Sequence, residues 1–313
     1  MSPLPDMGSL AKTTPTDQQR LMAAPPLRAA SQGLILMNKG LTPPRQTVAP
    51  TRPVAPWLGG KRNLAKRICA LIDADQDHKT YAEGFLGMGG VFLRRTSRPR
   101  AEVINDYGRD VANLFRILQR HYPQFLEVLR FQLTTRTEFN RLVDTNPETL
   151  TDLERAARFL YLQRTAFGGK VSGRNFGVSP DRPGRFNLST LEPMLEDLHE
   201  RLSGVVIECL DFAEFIRRYD TPTTLFYLDP PYWGCEGDYG KALFSRERFE
   251  ELATALGCLK GRFILSLNDV KEVRETFAGF RFEEVKTTYT IGAKGAAPER
   301  AELLISNWGP PGG

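Results

Sequence analysis

The sequence predicts an α/β fold: a mostly parallel sheet with helices on both faces. The first observation is a strand–helix–strand–helix order that begins near residue 63. The second is the return of strand-like apolar segments at 204–212, 223–229 and 261–269, after a long interruption at 111–195. The third is a final pair of strand-like segments around a Gly/Ala-rich loop, which predicts an antiparallel hairpin at the edge of the sheet.

The first half of the predicted sheet is assigned from local patterns. "NLAKRICALID" (63–73) has apolar residues at helical spacing, and "TYAEGF" (80–85) is typical of a short strand that enters a glycine loop. "GGVFLRRTS" (89–97) is predicted to start a helix, and "AEVIND" (101–106) is predicted to be the second strand. Residues 110–131 then read as a helix with a proline break.

The remaining segments complete a three-part organisation. Residues 1–50 are rich in Pro, Thr, Gln and Ala and are predicted to be a disordered tail. Residues 51–110 and 196–313 are predicted to form one catalytic domain. Residues 111–195, which are helical and then rich in Gly, Arg and Asn, form an insert. The last hairpin is assigned to 281–292 and 300–308.

Composition restricts the class of protein. The four cysteines are scattered without a CxxC pair, so neither a disulfide framework nor a metal site is expected. No apolar run approaches a membrane span, and we expect a cytoplasmic protein. The net charge is +5, and residues 155–190 contain seven basic residues against a single acidic one, Asp181. This stretch is either a solvated face or, more in keeping with its interleaved Phe and Gly, a nucleic-acid surface.

"FYLDPPYWG" (226–234) raises the question of chemistry, because an apolar strand ends in a carboxylate, two prolines and two aromatic rings. One interpretation is a strand-exit turn. The other is a pocket for a planar ring that carries an amino group. Asp229 and the Pro230 carbonyl would accept the hydrogens of that group, Pro231 would shape the turn, and Tyr232 would stack on the ring.

Three further segments lie at predicted strand ends or helix starts, where parallel sheets bind ligands. Glycines in "EGFLGMGG" (83–90) allow close approach to a ligand or simply a tight turn, and their spacing does not fit a phosphate cradle. Asp106 is suited either to a ribose hydroxyl pair or to a helix N-cap. "PWLGGKR" (56–62) is either a capping turn or a flap whose Lys61 reaches a carboxylate. Together they describe a site for S-adenosylmethionine, whose sulfonium can rest against aromatic faces.

Six motifs in the same order resemble the Dam-type adenine-N6 DNA methyltransferases, the DPPY family of the alpha-group order. They are "PWLGGK", "EGFLGMGGVF", "IND", "FLYLQRTAFGG…GRFN", "DPPYW" and "ELLISN", and they extend from residue 55 to about 308. The resemblance implies a Rossmann-like methyltransferase sheet in which the 111–195 insert recognises the DNA target.

The resemblance also implies site residues. Those expected at the cofactor are Trp57, Lys61, Phe85, Gly87, Gly89, Asp106, Asp211 and Asp229, although Asp211 is equally suited to a helix cap. The catalytic set is Asp229, Pro230, Pro231 and Tyr232. The DNA-contact candidates are Arg164, Lys170, Arg174 and Arg185. "YLQRTAFGG" departs from the usual family pattern, with Gln163 and Gly168 in place of two asparagines, so the family's known target sequences are not transferred.

The predicted function is methylation of the adenine amino group in double-stranded DNA, of the restriction–modification or phage type. The base would be flipped out of the duplex, S-adenosylmethionine would donate the methyl group, and no metal is expected. A monomer is favoured. Two alternatives stay open: a methyltransferase for cytosine N4 or structured RNA, and an inactive DNA-binding protein.

Overall fold

The computed structural model describes residues 45–178, 181, 183–235, 244–288 and 299–309. The predicted tail up to residue 44, and the Gly/Ala-rich loop between the last two strands, lie outside the described residues. The predicted tail boundary at residue 50 falls within a described segment. There, Gln46–Thr47 (β1) pairs antiparallel with Ser97–Arg98 (β3).

The large sheet has seven strands among the described residues, and four of its six pairings are parallel. Its strands are β2 (Thr80–Glu83), β4 (Ala101–Asn105), β5 (Val206–Glu208), β6 (Thr224–Leu228), β7 (Arg262–Asn268), β8 (Arg281–Thr288) and β9 (Glu299–Ser306). Their order across the sheet is β5-β4-β2-β6-β7-β9-β8. The last two run antiparallel, with β8 at the edge, as the sequence predicted.

Helices cover both faces because the central strands are apolar on both sides. All five residues of β6 are buried, and consecutive side chains alternate between two cores: Tyr227 joins one, Phe226 and Leu228 the other. The helices are α1 (Ala65–Ala74), α2 (Arg109–Arg120), α3 (Tyr122–Leu129), α4 (Arg136–Asp144), α5 (Asp152–Thr165), α6 (Leu188–Arg201), α7 (Phe212–Tyr219), α8 (Glu247–Gly257) and α9 (Lys271–Thr276). Helices α1 to α6 pack on the Tyr227 side and α7 to α9 on the other.

The arrangement confirms the predicted Rossmann-like α/β class. It also places a switch in strand order between β2 and β6. After β2 the chain adds β4 and β5 on one side of that strand, and it later adds β6 and β7 on the other side. In sheets of this type, ligands bind outside the carboxyl ends of the strands at such a switch. Glu83 is the last residue of β2, and Asp229 directly follows β6.

The helix predicted at 89–97 was wrong. Only Phe92–Arg94 forms one 3-10 turn, and the chain then becomes extended at Arg95. The Arg95 side chain is fully buried and donates to Glu102 Oε1 at 3.0 Å. A buried charge requires a paired partner, so this ion pair directs the chain toward β3 and β4 instead of continuing a helix.

Candidate active site

A cleft of 2140 Å³ lies at the carboxyl ends of β2, β4 and β6. It exceeds the roughly 300–1,000 Å³ of an ordinary small-molecule pocket, so it can hold more than one ligand group. The segment 52–64 and the ends of the insert helices complete its walls. Except for Asp211, Lys170 and Arg174, all the residues proposed above from the sequence line this cleft or, in the case of Gly89, lie in its glycine loop.

The glycine loop after β2 owes its shape to close packing. Gly87 and Gly89 have φ angles of 51° and 72°, a region that other residues rarely adopt. A Cβ added at Gly87 would lie 2.5 Å from Nε1 of Trp57. The indole therefore rests directly on the loop backbone, and Trp57 belongs to the same wall of the cleft.

Asp106 fixes that loop from the neighbouring strand end. Its two carboxylate oxygens accept hydrogen bonds from the backbone N–H groups of Gly87 and Gly108, each at 2.8 Å. Burial raises the pKa of Asp106 to about 6, and these two bonds limit the rise. The preceding Asn105 side chain donates to the carbonyls of Gly84 and Leu210, both at 3.0 Å. The two residues therefore hold the ends of β2, β4 and β5 together.

The DPPY turn after β6 carries a network around Asp229. The Lys61 ammonium contacts Asp229 Oδ1 at 2.7 Å and donates to the Tyr232 hydroxyl at 2.8 Å. The Ser266 hydroxyl, from β7, also donates to Asp229 Oδ1, at 2.9 Å. Burial raises the pKa of Asp229, and the Lys61 ammonium limits that rise. The Lys61 ammonium thus has a carboxylate partner within the protein itself.

The turn itself is held from the far side by Asn268. The Asn268 amide oxygen accepts from the Trp233 backbone N–H at 3.0 Å, and its amide nitrogen donates to the Trp233 carbonyl at 3.0 Å. The sequence analysis missed both Ser266 and Asn268. Their only signal was the position of "SLND" at the end of a strand.

Besides Asp229, the strand switch carries a second acidic group, Glu83, which was not predicted from the sequence. It lines the cleft beside the strand switch, is 1% exposed, and accepts a hydrogen bond from the Tyr81 hydroxyl at 2.6 Å. Burial is the largest influence on this carboxyl and raises its pKa to about 8. At neutral pH it is therefore mostly protonated, so the floor of the cleft carries less negative charge than its composition suggests.

An aromatic group forms the part of the cleft next to the α7 helix. The Phe85 ring lies 5.9 Å from that of Phe212 and 5.8 Å from that of Phe244, measured between centroids. Phe85 and Phe244 line the cleft. Such rings suit a flat base or a sulfonium group. Phe244 could not be identified from sequence because no nearby motif marks it.

Asp211 lies outside the cleft lining. Its carboxylate caps α7 by accepting from the Ala213 backbone N–H at 3.0 Å, and it forms an ion pair with Arg248. The structure thus shows the helix-cap role that the sequence allowed.

The DNA-contact candidates differ in their surroundings. Arg164 donates to the Val54 and Arg185 carbonyls, and Arg185 donates to the Ala166 carbonyl at 3.1 Å. Both line the cleft. Arg174 donates to the Lys170 carbonyl at 3.2 Å, and burial lowers the pKa of Arg174 to about 10. Carbonyl bonds orient these guanidinium groups without neutralising them.

Gln163, one of the departures noted above, is fully buried. Its amide nitrogen donates to the Pro56 carbonyl at 2.8 Å and to the Gly169 carbonyl at 2.6 Å. The end of α5 is therefore fastened to the segment that carries Trp57.

The described residues hold neither a candidate metal centre nor a candidate membrane span. They contain no group of three or more His, Cys, Asp or Glu side chains arranged to hold a metal ion. Their helices are all too short or too polar to cross a membrane.

Comparison with known proteins gives consistent matches. The Lactococcus lactis subsp. cremoris protein named Type II methyltransferase M1.LlaDCHI is 26% identical over 82% of this chain and 96% of its own length. Type II methyltransferase M.CviBI of Paramecium bursaria Chlorella virus NC1A is 23% identical over 82% of this chain and all of its own. The DNA N-6-adenine-methyltransferase of Escherichia phage P1 is 28% identical over 78% of this chain and 34% of its own.

The model of one family covers most of the folded chain. The D12 class N6 adenine-specific DNA methyltransferase model matches residues 57–291, a range that begins at Trp57 and includes the glycine loop, Asp106 and the DPPY turn. The chain therefore belongs to the D12 class N6 adenine-specific DNA methyltransferase family.

Proposed function

We propose that this protein transfers a methyl group from S-adenosylmethionine to the N6 amino group of an adenine flipped out of double-stranded DNA. The observation that carries the proposal is the Lys61–Asp229–Tyr232 cluster at the strand switch, inside a cleft large enough for a cofactor and a base. Family membership and the relatives' names support the same reaction. The protein would act in the cytoplasm, where bacterial and phage DNA lie.

The cleft has side chains that suit S-adenosylmethionine. It combines partly buried carboxylates, an ammonium group and an aromatic wall, which match the hydroxyls, charged tail and sulfonium of that molecule. The residues that would hold it are Trp57, Lys61, Phe85, Gly87, Gly89, Asp106 and Asp229. When bound, it would supply an electrophilic methyl group, whose bond to sulfur breaks during transfer so that the neutral thioether leaves. Asp211 is left out of this set because it lies outside the cleft and pairs with Arg248.

Asp229 and Pro230 act on the substrate amino group. The lone pair of that nitrogen is delocalised into the adenine ring, and acceptors for its hydrogens hold electron density on the nitrogen. Lys61 and Ser266 both bond to Oδ1 of Asp229, so we assign Oδ2 to the amino group. The Pro230 carbonyl is the second acceptor. Both acceptors also stabilise the positive charge that develops as nitrogen attacks.

Tyr232 and Pro231 position the base. Both line the cleft next to Asp229, and the Tyr232 ring offers a stacking surface that offsets part of the cost of unstacking the base. No general base is needed, because the methylated ammonium is strongly acidic and loses its proton afterwards.

The proposal is tested by single-molecule sequencing of plasmid DNA from a methylation-deficient host that expresses the protein. We expect N6-methyladenine in one recurring sequence. The matched control is Asp229→Ala, which should lower turnover by ~100-fold or more with a smaller loss of cofactor binding. An unmodified plasmid, recovered with folded protein that binds S-adenosylmethionine, would contradict the proposal. Methyl groups on cytosine N4 would instead support the alternative of a cytosine-N4 methyltransferase.

A further inference from the structure

Three of the arginines that line the cleft outside the predicted DNA-contact set come from the part of the chain before β4. Arg52, Arg62 and Arg94 belong to the catalytic half and line the cleft together. Arg52 and Arg62 are exposed and Arg94 is half-buried. We call these three residues the arginine rim.

Local backbone contacts bring the arginine rim together from three separate segments. The Thr51 N–H donates to the Leu93 carbonyl at 2.7 Å, which places Arg52 beside the turn that carries Arg94. The Arg94 guanidinium in turn donates to the Gly90 carbonyl. A Cβ added at Gly90 would lie 3.3 Å from the backbone nitrogen of Lys61, so the residue before Arg62 packs against the same glycine.

The charge of the arginine rim is not cancelled by acidic side chains in the part of the chain that the structure describes. By contrast, Arg155 on the insert pairs with Asp110 and Glu148 at 2.5 and 2.9 Å. Burial lowers the pKa of Arg94, and the neighbouring charges of Arg62 and Arg52 lower it further. Keeping three like charges together costs free energy, and this cost is offset when an anion binds.

The arginine rim continues into the insert. Arg164 donates to the Val54 carbonyl, two residues after Arg52, and to the Arg185 carbonyl. A row of positive groups therefore runs from the catalytic half to the predicted target-recognition insert. One carboxylate of a bound cofactor cannot neutralise such a row. A DNA duplex can, because it presents a phosphate about every 1.7 Å along its axis.

We propose that Arg52, Arg62 and Arg94 bind backbone phosphates of the DNA beside the flipped nucleotide, independently of sequence. The inference rests on the proposed function. It assigns the catalytic half a share of DNA affinity that the sequence analysis gave to the insert alone. Because phosphate contacts carry no sequence information, the arginine rim sets affinity and position, while recognition of the target remains with the insert.

The test is the salt dependence of DNA binding by an Arg52→Gln/Arg62→Gln double variant. Both residues are exposed, so the variant should fold. Binding of two fluorescein-labelled duplexes of unrelated sequence is measured by anisotropy over a range of salt concentrations. We expect the slope of log K against log salt to fall by about 1 to 2 and the affinity to fall by roughly tenfold. Both duplexes should be affected equally, with cofactor affinity unchanged.

Two matched controls separate charge from folding. Arg100→Gln removes an exposed arginine that lies outside the cleft and should leave the slope unchanged. Arg52→Lys/Arg62→Lys keeps both charges and should restore most of the slope. The inference would be overturned if the double Gln variant bound DNA with the wild-type slope, or if it lost cofactor affinity instead. Neither result would contradict adenine methylation by the wild-type protein. A wild-type protein that binds no duplex would overturn the proposed function as well.

Discussion

At the residue scale, the proposed chemistry depends on a carboxylate held by groups from distant parts of the chain. Lys61 comes from the segment before α1, and Ser266 comes from β7. Both engage the same oxygen of Asp229. This arrangement orients the carboxylate before any substrate arrives, so little reorganisation is needed when the amino group binds.

Glu83 gives a prediction on the dependence of stability on pH. Its pKa rises from an ordinary 4.5 to about 8 on folding, so the folded state binds more protons than the unfolded chain between these values. Stability contributed by this group is therefore complete below about pH 4.5 and is lost as pH rises toward 8. Glu83→Gln keeps the neutral shape and should remove this loss.

The measurement is urea unfolding of wild-type protein and Glu83→Gln from pH 5 to 8. The unfolding free energy of the variant minus that of the wild type should increase with rising pH, by up to about 1.4 kcal/mol per pH unit. A difference that stays constant with pH would show that Glu83 is ionised in the folded protein.

At the element scale, the glycine loop joins sheet packing to the proposed cofactor site. Its conformation depends on the Trp57 indole that packs on Gly87 and on the Asp106 carboxylate that accepts from the Gly87 N–H. The loop and Trp57 are far apart in sequence, yet they pack so closely that a larger side chain at Gly87 would displace the Trp57 indole. Local patterns indicated a glycine loop but could not identify the residue that packs on it.

Gly87→Ala tests this coupling. The methyl group would meet the Trp57 indole at 2.5 Å, in a backbone region with φ of 51°. The left-handed conformation alone costs about 1–2 kcal/mol for a residue with a side chain. We expect weaker S-adenosylmethionine binding by calorimetry and a lower Tm. Gly279→Ala is the control, since its Cβ would meet nothing within 4 Å. Equal effects of the two substitutions would argue against a specific role for the Trp57 contact.

At the scale of the whole molecule, a buried charge cluster ties the end of α6 to the sheet. Glu102 on β4 accepts from Arg201, at the end of α6, at 2.7 and 2.8 Å, and from Arg95 at 3.0 Å. Arg98 contacts the same carboxylate at 3.1 Å. All but Arg98 are buried. Three guanidinium groups therefore depend on one carboxylate for their compensation.

Glu102→Gln should destabilise the whole fold. Removing the charge leaves two buried arginines without a counterion, and breaking a buried pair in this way costs about 3–5 kcal/mol. Urea unfolding at constant pH measures the loss, and Glu250→Gln, at an exposed position of α8, serves as the control. A loss no larger than that of the control would mean that the arginines find other partners.

Most of the sheet and part of the site could be predicted from the sequence, because the strands and some site residues each have a local signal. Buried parallel strands carry their own signal, because apolar runs and turn residues are local. Asp229, Lys61 and Asp106 could be proposed because each stands at a motif. Contacts between residues far apart in sequence had no such signal. Gln163 and Pro56 are separated by 107 residues, and Arg201 and Glu102 by 99. The mistaken helix at 89–97 has a different origin, because Glu102 is only seven residues from Arg95 but the burial of this ion pair is not visible in the local pattern.

The fastening of α5 to residues 54–56 has a consequence for the order of events in catalysis. The Arg164 and Gln163 side chains hold the carbonyls of Val54 and Pro56, directly before Trp57. Any duplex that shifts the end of α5 must also shift the wall of the cofactor pocket. Thermodynamic linkage then requires reciprocity: if DNA alters the affinity for the methyl donor by some factor, the donor alters the affinity for DNA by the same factor. If a duplex does shift α5, the fastening predicts that DNA and the methyl donor affect each other's binding.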